Sequence, residues 1–347
     1  MKNYRYHGEQ ISWKVEYNPY IVYTWVAGET MRAYFEDPAV AIRCYERGQE
    51  WIRGMFGDRL HVMPPAPYPI SYGHLICLGG TYTMPEDSDL NVHPFASSVD
   101  EGIDIVRSHL GMDFSRHPLV QKYIAYSQTL RDAYPDLHLP ITLPGVQGPI
   151  TSVALMRGQD FYMDLYDEPE KTLELIQLMT QSTIEYRRYN NRINGVPEIN
   201  PKGTGFCDDL AALVSPHLFS DYVIRAWNQL FEGLTTPEGT RFVHCEDLTP
   251  FHLKYLKEAK LTSFQPSVSD KLTLENYFAN TDVPLDDWLL YSWRCADMTP
   301  AEIDRWIDDS LAGGARRLRT QFNRPMLQSG HADRITAFID SFDRYAE

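Results

Sequence analysis

The stretch SPHLFSDYVIRAWNQLFEGLTTPEGTRFVHCEDLTPFHLKYLKEAKLTSFQPSV, residues 215–268, decides the fold class. Ser215 and Pro216 stand at the positions that N-cap and first-turn residues prefer, so 215–233 predicts a capped helix. TRFVHCED follows as an apolar, β-branched run, which predicts a strand. Thr249 and Pro250 then repeat the cap, and LTSFQPSV (261–268) predicts the next strand.

The same alternation continues on both sides. Upstream, DEPEKTLELIQLMTQSTIEYRRYNNRING offers Asp167 as N-cap, Leu173, Ile176 and Met179 at helical spacing, and Gly195 past the end, before a strand ending in GTGFCDD (203–209). Downstream, LTLENYFAN predicts a short helix and WLLYSWRC a strand. TPAEIDRWIDDSLAGG predicts a helix with a capping box of Thr299 and Glu302, closed at Gly313. ARRLRTQFN predicts a strand and HADRITAFIDSFDRYA the last helix. Strand followed by capped helix, repeated several times, implies consecutive βα units and a parallel sheet.

The N-terminal half is less regular. Residues 37–58 predict a helix, RLHVMPP and HLICLGG strands, SVDEGIDIVRSHL and HPLVQKYIAYSQTLRDAYP helices, and LPITLPGVQGPITSVALMRG strand, loop and helix. There is no GxGxxG and no GxxxxGK[ST], so dinucleotide and P-loop folds have no positive sign. The expectation is a single (β/α)8 TIM-type barrel, an α/β domain spanning 1–347, with residues 1–58 as N-terminal extension and first helix.

Composition narrows the function classes. The chain has 347 residues, is 43% hydrophobic and 23% charged, and carries a formal net charge of -15. That is globular composition, and its acidity opposes a nucleic-acid partner. No apolar run approaches a membrane span, and the N-terminus lacks the apolar core of a signal peptide. Cys44, Cys77, Cys207, Cys245 and Cys295 are odd in number and widely spread, which predicts a cytoplasmic protein without a disulfide framework.

In a parallel barrel the reacting groups sit at the C-terminal ends of strands. That rule selects Asp208 and Asp209, then His244, Cys245, Glu246 and Asp247, then Gln265, then Trp293, Arg294 and Cys295, then Gln321 and Asn323 with His331 behind. Side chains alternate along a strand, so His244 and Glu246 face one way and Cys245 the other. His244 with Glu246 suits zinc ligation, a general acid–base pair, or a core histidine beside a surface acid. Asp208 and Asp209 either bind substrate or hold their loop. Cys295 either reacts or packs, and His331 either acts or starts a helix.

In order and spacing these residues resemble the uroporphyrinogen decarboxylase superfamily, over most of the chain from about residue 30. GVQGPITSVALMRG (145–158) looks like its Gly-Pro-x-Thr segment, DDLAALVSPHLFSDYVI (208–224) like its Asp-Asp…Ser-Pro-x-x-Phe block, VHCED like the methyltransferases' His-x-Cys, and GHADRI (330–335) like its C-terminal Gly-His. Two departures stand out. Residues 1–58 lack the paired arginines that hold porphyrinogen carboxylates, and His-x-Cys has become His244-x-Glu246 with no cysteine after Cys295.

The resemblance therefore implies the methyltransferase branch. A methyl group would pass from a methoxylated or N-methylated small molecule (an O-demethylation in the first case) to a corrinoid carried by a partner protein. Zinc on His244 and Glu246, with Cys295 or one of Asp208 and Asp209 as third ligand, would act as Lewis acid. His331 would protonate or orient the leaving group, and Asp208, Asp209, Trp293, Arg294 and Gln321 would contact substrate. Two alternatives stay open. One is a metal-free decarboxylase or lyase of a small carboxylic acid, with His244 and Glu246 as acid–base groups and Arg294 as clamp. The other is a barrel that only binds a ligand.

Overall fold

The computed structural model describes residues 3–267 and 269–347; Val268, the end of the expected strand stretch, and Met1 and Lys2 lie outside them. The fold is mixed α/β. Its strands are β1 (Tyr4–Tyr6), β2 (Glu9–Tyr17), β3 (Tyr82–Thr83), β4 (Asn91–Val92), β5 (Gly203–Cys207), β6 (Thr240–His244), β7 (Ser263–Gln265), β8 (Trp288–Leu290) and β9 (Arg317–Phe322). They form sheets ordered β1-β2-β9-β8, β5-β6-β7 and β3-β4. Within the first two sheets all pairings except the β1–β2 hairpin are parallel. An isolated parallel bridge from Phe264 to Leu285 links β7 to the segment leading into β8. Parallel neighbours thus run β5, β6, β7, β8, β9, β2.

This is not the closed eight-stranded barrel the βα rhythm predicts: among the described residues no ladder joins β2 back to β5. The two expected strands RLHVMPP and LPITLPG carry no ladder. Their neighbourhoods hold Pro64, Pro65, Pro67 and Pro69, and Pro140, Pro144 and Pro149. Proline lacks the N–H a ladder requires. Only isolated bonds tie these segments in. The Tyr17 hydroxyl accepts from Met63 N at 2.6 Å, Gly145 N donates to Ile70 O at 2.6 Å, and Gly148 N donates to Cys207 O at 2.6 Å.

Five other expectations change. HLICLGG forms a short helix, Gly73–Cys77. Residues 1–58, expected as N-terminal extension and first helix, contribute the sheet strand β2, paired with β9 from Ser12↔Arg317 to Tyr17↔Phe322. WLLYSWRC splits into β8 and a helix, Ser292–Asp297. Ser215 and Pro216 only open a turn, closed by Leu218 N to Ser215 O at 2.9 Å; a wide π turn, Phe219–Ile224, leads into the helix Arg225–Leu234.

Asp167 ends one helix, and the next, Pro169–Ile193, starts after Glu168. The expected capping box forms at Thr299 with Glu302, the Thr249 cap forms as a box with His252, and the structure adds a third box at Thr273 with Asn276. Helices cover the apolar backs of the strands. Phe206, Val243 and Phe264 are buried there, with Trp227 and Phe231 from Arg225–Leu234. The opposite strand faces are polar, and they carry the site.

Candidate functional site

Cys207, His244 and Gln265 stand in one register row across β5, β6 and β7. Side chains in such a row project from the same face of the sheet, here the polar one. His244 Nδ1 lies 2.6 Å from Gln265 Oε1. Gln265 Nε2 lies 2.8 Å from Asp287 Oδ2, and Arg319 Nε 3.0 Å from Asp287 Oδ1. Arg319 also pairs with Glu16 on β2. A single polar chain, Asp209–His244–Gln265–Asp287–Arg319–Glu16, therefore crosses six neighbouring strand positions.

The far nitrogen of His244 meets acids. Nε2 is 3.4 Å from Asp209 Oδ1 and 3.6 Å from Glu246 Oε1. Glu246 N also donates to Asp209 Oδ1 at 3.1 Å, which fixes the two acids relative to each other. Burial alone would lower the His244 pKa. The Glu246 and Asp209 carboxylates and the Gln265 carbonyl together outweigh it, and the pKa is raised. The His244 imidazole beside it holds Glu246 below the usual carboxylate range. Desolvation raises Asp209, which leaves two neighbouring carboxylates with opposite tendencies. That separation of acid strengths around one histidine is a frequent mark of a reacting site.

The Gln265 amide sets the histidine tautomer. Asp287, held by Arg319, can only accept hydrogen bonds, so the NH₂ of Gln265 must face it. The Gln265 carbonyl then faces His244 and accepts from Nδ1–H. Nε2 is left as the atom that takes up and releases a proton, flanked by two acids that stabilise the imidazolium. The backbone is strained beside it. Asp247 has φ 61° and Ser267 φ 46°, each just beyond the end of β6 or β7. Non-glycine residues in this region are uncommon and gather at functional sites. Ser267 contacts both Glu246 and Arg319, the latter at 3.4 Å.

The remaining sequence-selected residues are placed differently. Asp208 is fully buried, accepting from Thr151 N at 2.7 Å, Ile150 N at 3.4 Å and Trp227 Nε1 at 2.7 Å. It pins the helix Pro149–Arg157, leaving neither oxygen free. Cys245 is buried, with Sγ 3.2 Å from Asp208 O, as the alternation predicts. Cys295 is buried in the other core cluster and bonds Thr320. His331 is exposed ahead of the final helix. Gln321 is in register with Glu16 at the β9 end. Arg294 lines a groove of about 480 Å³ with Ser267, Tyr291 and Trp306. Trp293 is exposed and stacks on Tyr291 at 5.5 Å.

His244, Glu246 and Cys295 therefore do not assemble as a zinc set. Among the described residues no group of three or more His, Cys, Asp and Glu side chains is arranged to hold a metal ion. Sequence reasoning missed Glu16, Ser267, Asp287 and Arg319. Arg319 and Gln321 alternate along ARRLRTQFN, and that alternation was the available signal.

No family model matches the chain, and no curated protein does. Among solved structures the chain is similar to a B12-independent methionine synthase from Shewanella sp. W3-18-1 in complex with selenomethionine. Identity is 13%, the TM-score 0.38, and the match covers 64% of this chain and 67% of that one. A likeness at that level fixes neither strand arrangement nor chemistry. Among the described residues no helix is long and apolar enough to cross a membrane.

Proposed function

We propose that this chain is an enzyme that acts on a small carboxylic acid by general acid–base chemistry at His244, as a decarboxylase or lyase of the superfamily its motifs resemble. The observation that carries the reading is the setting of one imidazole. Gln265 lies 2.6 Å from Nδ1, and Asp209 and Glu246 lie 3.4 and 3.6 Å from Nε2. Nε2 is thereby aimed and charged by its surroundings. In the protonated form it delivers a proton to the carbon or leaving atom of the substrate; in the neutral form it removes one. Glu246 and Asp209 stabilise the charged state, and Arg319 holds Asp287, which holds Gln265. No step in this reading runs through zinc: Cys295 lies away in the core, and Asp209 and Glu246 flank His244 without forming, among the described residues, a group arranged to hold a metal ion.

The test is turnover of a panel of small carboxylic acids by chelator-treated protein, followed by product release, beside His244→Gln. The reading expects activity that survives the chelator and drops with the variant. Activity abolished by the chelator and restored by zinc would overturn it.

A second reading is methyl transfer from an N-methylated or methoxylated donor to a corrinoid held by a partner protein. One observation favours it. The exposed Trp293 stacked on Tyr291 offers an aromatic face, and the Asp270, Glu246 and Asp247 charges reach Tyr291, a setting that suits a methylated cation. His244 would then protonate the departing group. Demethylation of such a donor with a free corrinoid acceptor, lost in Trp293→Ala, would select this reading.

A further inference from the structure

Beside the polar chain lies a groove of about 480 Å³, a volume within the range of small-molecule sites. Two of its lining residues tie it to that chain. Ser267 Oγ lies 3.4 Å from Arg319 Nη2, and Leu289 stands in register with Arg319 on the neighbouring strand. One end of the groove therefore borders the hydrogen bonds that run from Arg319 through Asp287 and Gln265 to His244.

The walls hold groups that the protein leaves without partners. Arg294, Asp270 and Asp309 line the groove, and among the described residues none of these side chains makes a hydrogen bond or an ion pair. Ser310 lines it as well. It is 5% exposed, yet its hydroxyl bonds to nothing among the described residues. A hydroxyl so enclosed is stripped of most of its water, so a partner in the groove is favoured. Trp288 and Trp306 complete the walls, and their indole N–H groups are likewise unbonded among the described residues.

These groups select a ligand by elimination. A plain apolar acid would satisfy Arg294 but leave Ser310 without a partner and set Asp270 and Asp309 against an apolar body. An ammonium ligand would face Arg294, and a phosphate, more strongly charged than a carboxylate, would face the two acids. A polyhydroxylated carboxylic acid answers every group. Its carboxylate matches the guanidinium fork of Arg294. Its hydroxyls donate to Asp270 and Asp309, which as carboxylates only accept, and share a hydrogen bond with Ser310. Its C–H edges pack on the indoles, whose N–H groups donate to its oxygens. We propose that this groove binds a sugar acid, with the carboxylate on Arg294. This deepens the acid–base reading, on which the sugar acid's role as substrate rests.

The experiment is a titration of the full chain's tryptophan fluorescence, paired with thermal unfolding, at matched ionic strength. Gluconate and glucuronate are expected to give a saturable response at millimolar concentration and to raise the wild-type Tm. Glucitol keeps the hydroxyls without the carboxylate, and hexanoate keeps the carboxylate without the hydroxyls. Each is expected to bind weaker by about tenfold or more. Arg294→Met loses gluconate affinity by a similar factor and leaves that for glucitol unchanged, whereas Asp309→Asn weakens both. Both side chains are exposed, so both variants are expected to fold as wild type. In the unmodified protein, gluconate protects the Arg294 peptide from phenylglyoxal.

A wild type unmoved by both sugar acids overturns the proposal. So does hexanoate or glucitol binding as tightly as gluconate, or a gluconate response that survives intact in Arg294→Met. His244→Gln keeps the gluconate response. Gluconate binding with no His244-dependent turnover of a sugar acid would therefore place the failure in the acid–base reading. His244-dependent turnover of other acids, with no gluconate binding, would place it here.

Discussion

His244 and Gln265 form the hinge of the site: Nδ1 and Oε1 lie 2.6 Å apart across adjacent strands, and Asp287 holds the other side of the same amide at 2.8 Å. Gln265→Leu removes the acceptor and frees the imidazole to turn and change tautomer. Turnover is expected to fall about 10²-fold or more, the scale of a mispositioned acid–base group. Gln265→Glu keeps an acceptor for Nδ1–H but sets a carboxylate against Asp287, and is expected to raise the His244 pKa further. A pH–rate profile of the three proteins checks both.

Stability should depend on pH through the same histidine. The folded protein holds the His244 pKa above its ordinary 6.5. Its contribution is therefore fully present below about pH 6.5 and is lost as pH rises through the folded value. Urea unfolding of the wild type should weaken across that window, and His244→Gln should flatten this part of the curve. An unchanged curve in the variant would remove the histidine from the account.

Asp208 should prove structural. Desolvation raises its carboxyl to about 6, although Thr151, Trp227 and Ile150 all donate to it. A raised carboxyl favours the protonated form, so its contribution is present below 3.8 and is lost as pH rises to about 6. Asp208→Ala leaves two amides and an indole N–H buried without an acceptor. The expected loss is about 3 kcal/mol or more by urea unfolding, with the Pro149–Arg157 helix loosened in hydrogen exchange.

Arg319 and Asp287 are 4% and 5% exposed as side chains and 3.0 Å apart. Removing one partner of such a pair leaves the other as an isolated buried charge. Arg319→Met is expected to cost about 3–5 kcal/mol, and the double variant Arg319→Met/Asp287→Leu less than the single one. Single losses that simply add up to the double variant's loss would mean the two do not interact.

Much of the C-terminal half was legible in the sequence because local signals agree there. Thr249 and Thr299 start their helices as read, and β5, β6 and β9 follow β-branched or alternating runs. The N-terminal half was harder. β2 shows alternation, with Ile11, Val15 and Tyr17 buried, but Lys14 and Glu16 on its other face read as surface. Nothing local reveals that this face meets β9. The prolines of 64–69 and 140–149 mark where the ladder fails, which apolar content alone obscured.

At the candidate site, strand-end logic selected His244, Glu246 and Asp209, which the structure brings together. Glu16, Asp287 and Arg319 were not, because their pairing joins residues up to 303 positions apart. Cys295 was selected as the end of a strand, and the helix Ser292–Asp297 takes it into the core instead.

The central claim is that Nε2 of His244 exchanges the proton. The direct measurement is the nitrogen NMR titration of histidine-labelled protein, with His244→Gln assigning the resonance. The account predicts a neutral form protonated at Nδ1 and a pKa above 6.5. A neutral form protonated at Nε2, or a pKa below 6.5, would contradict it.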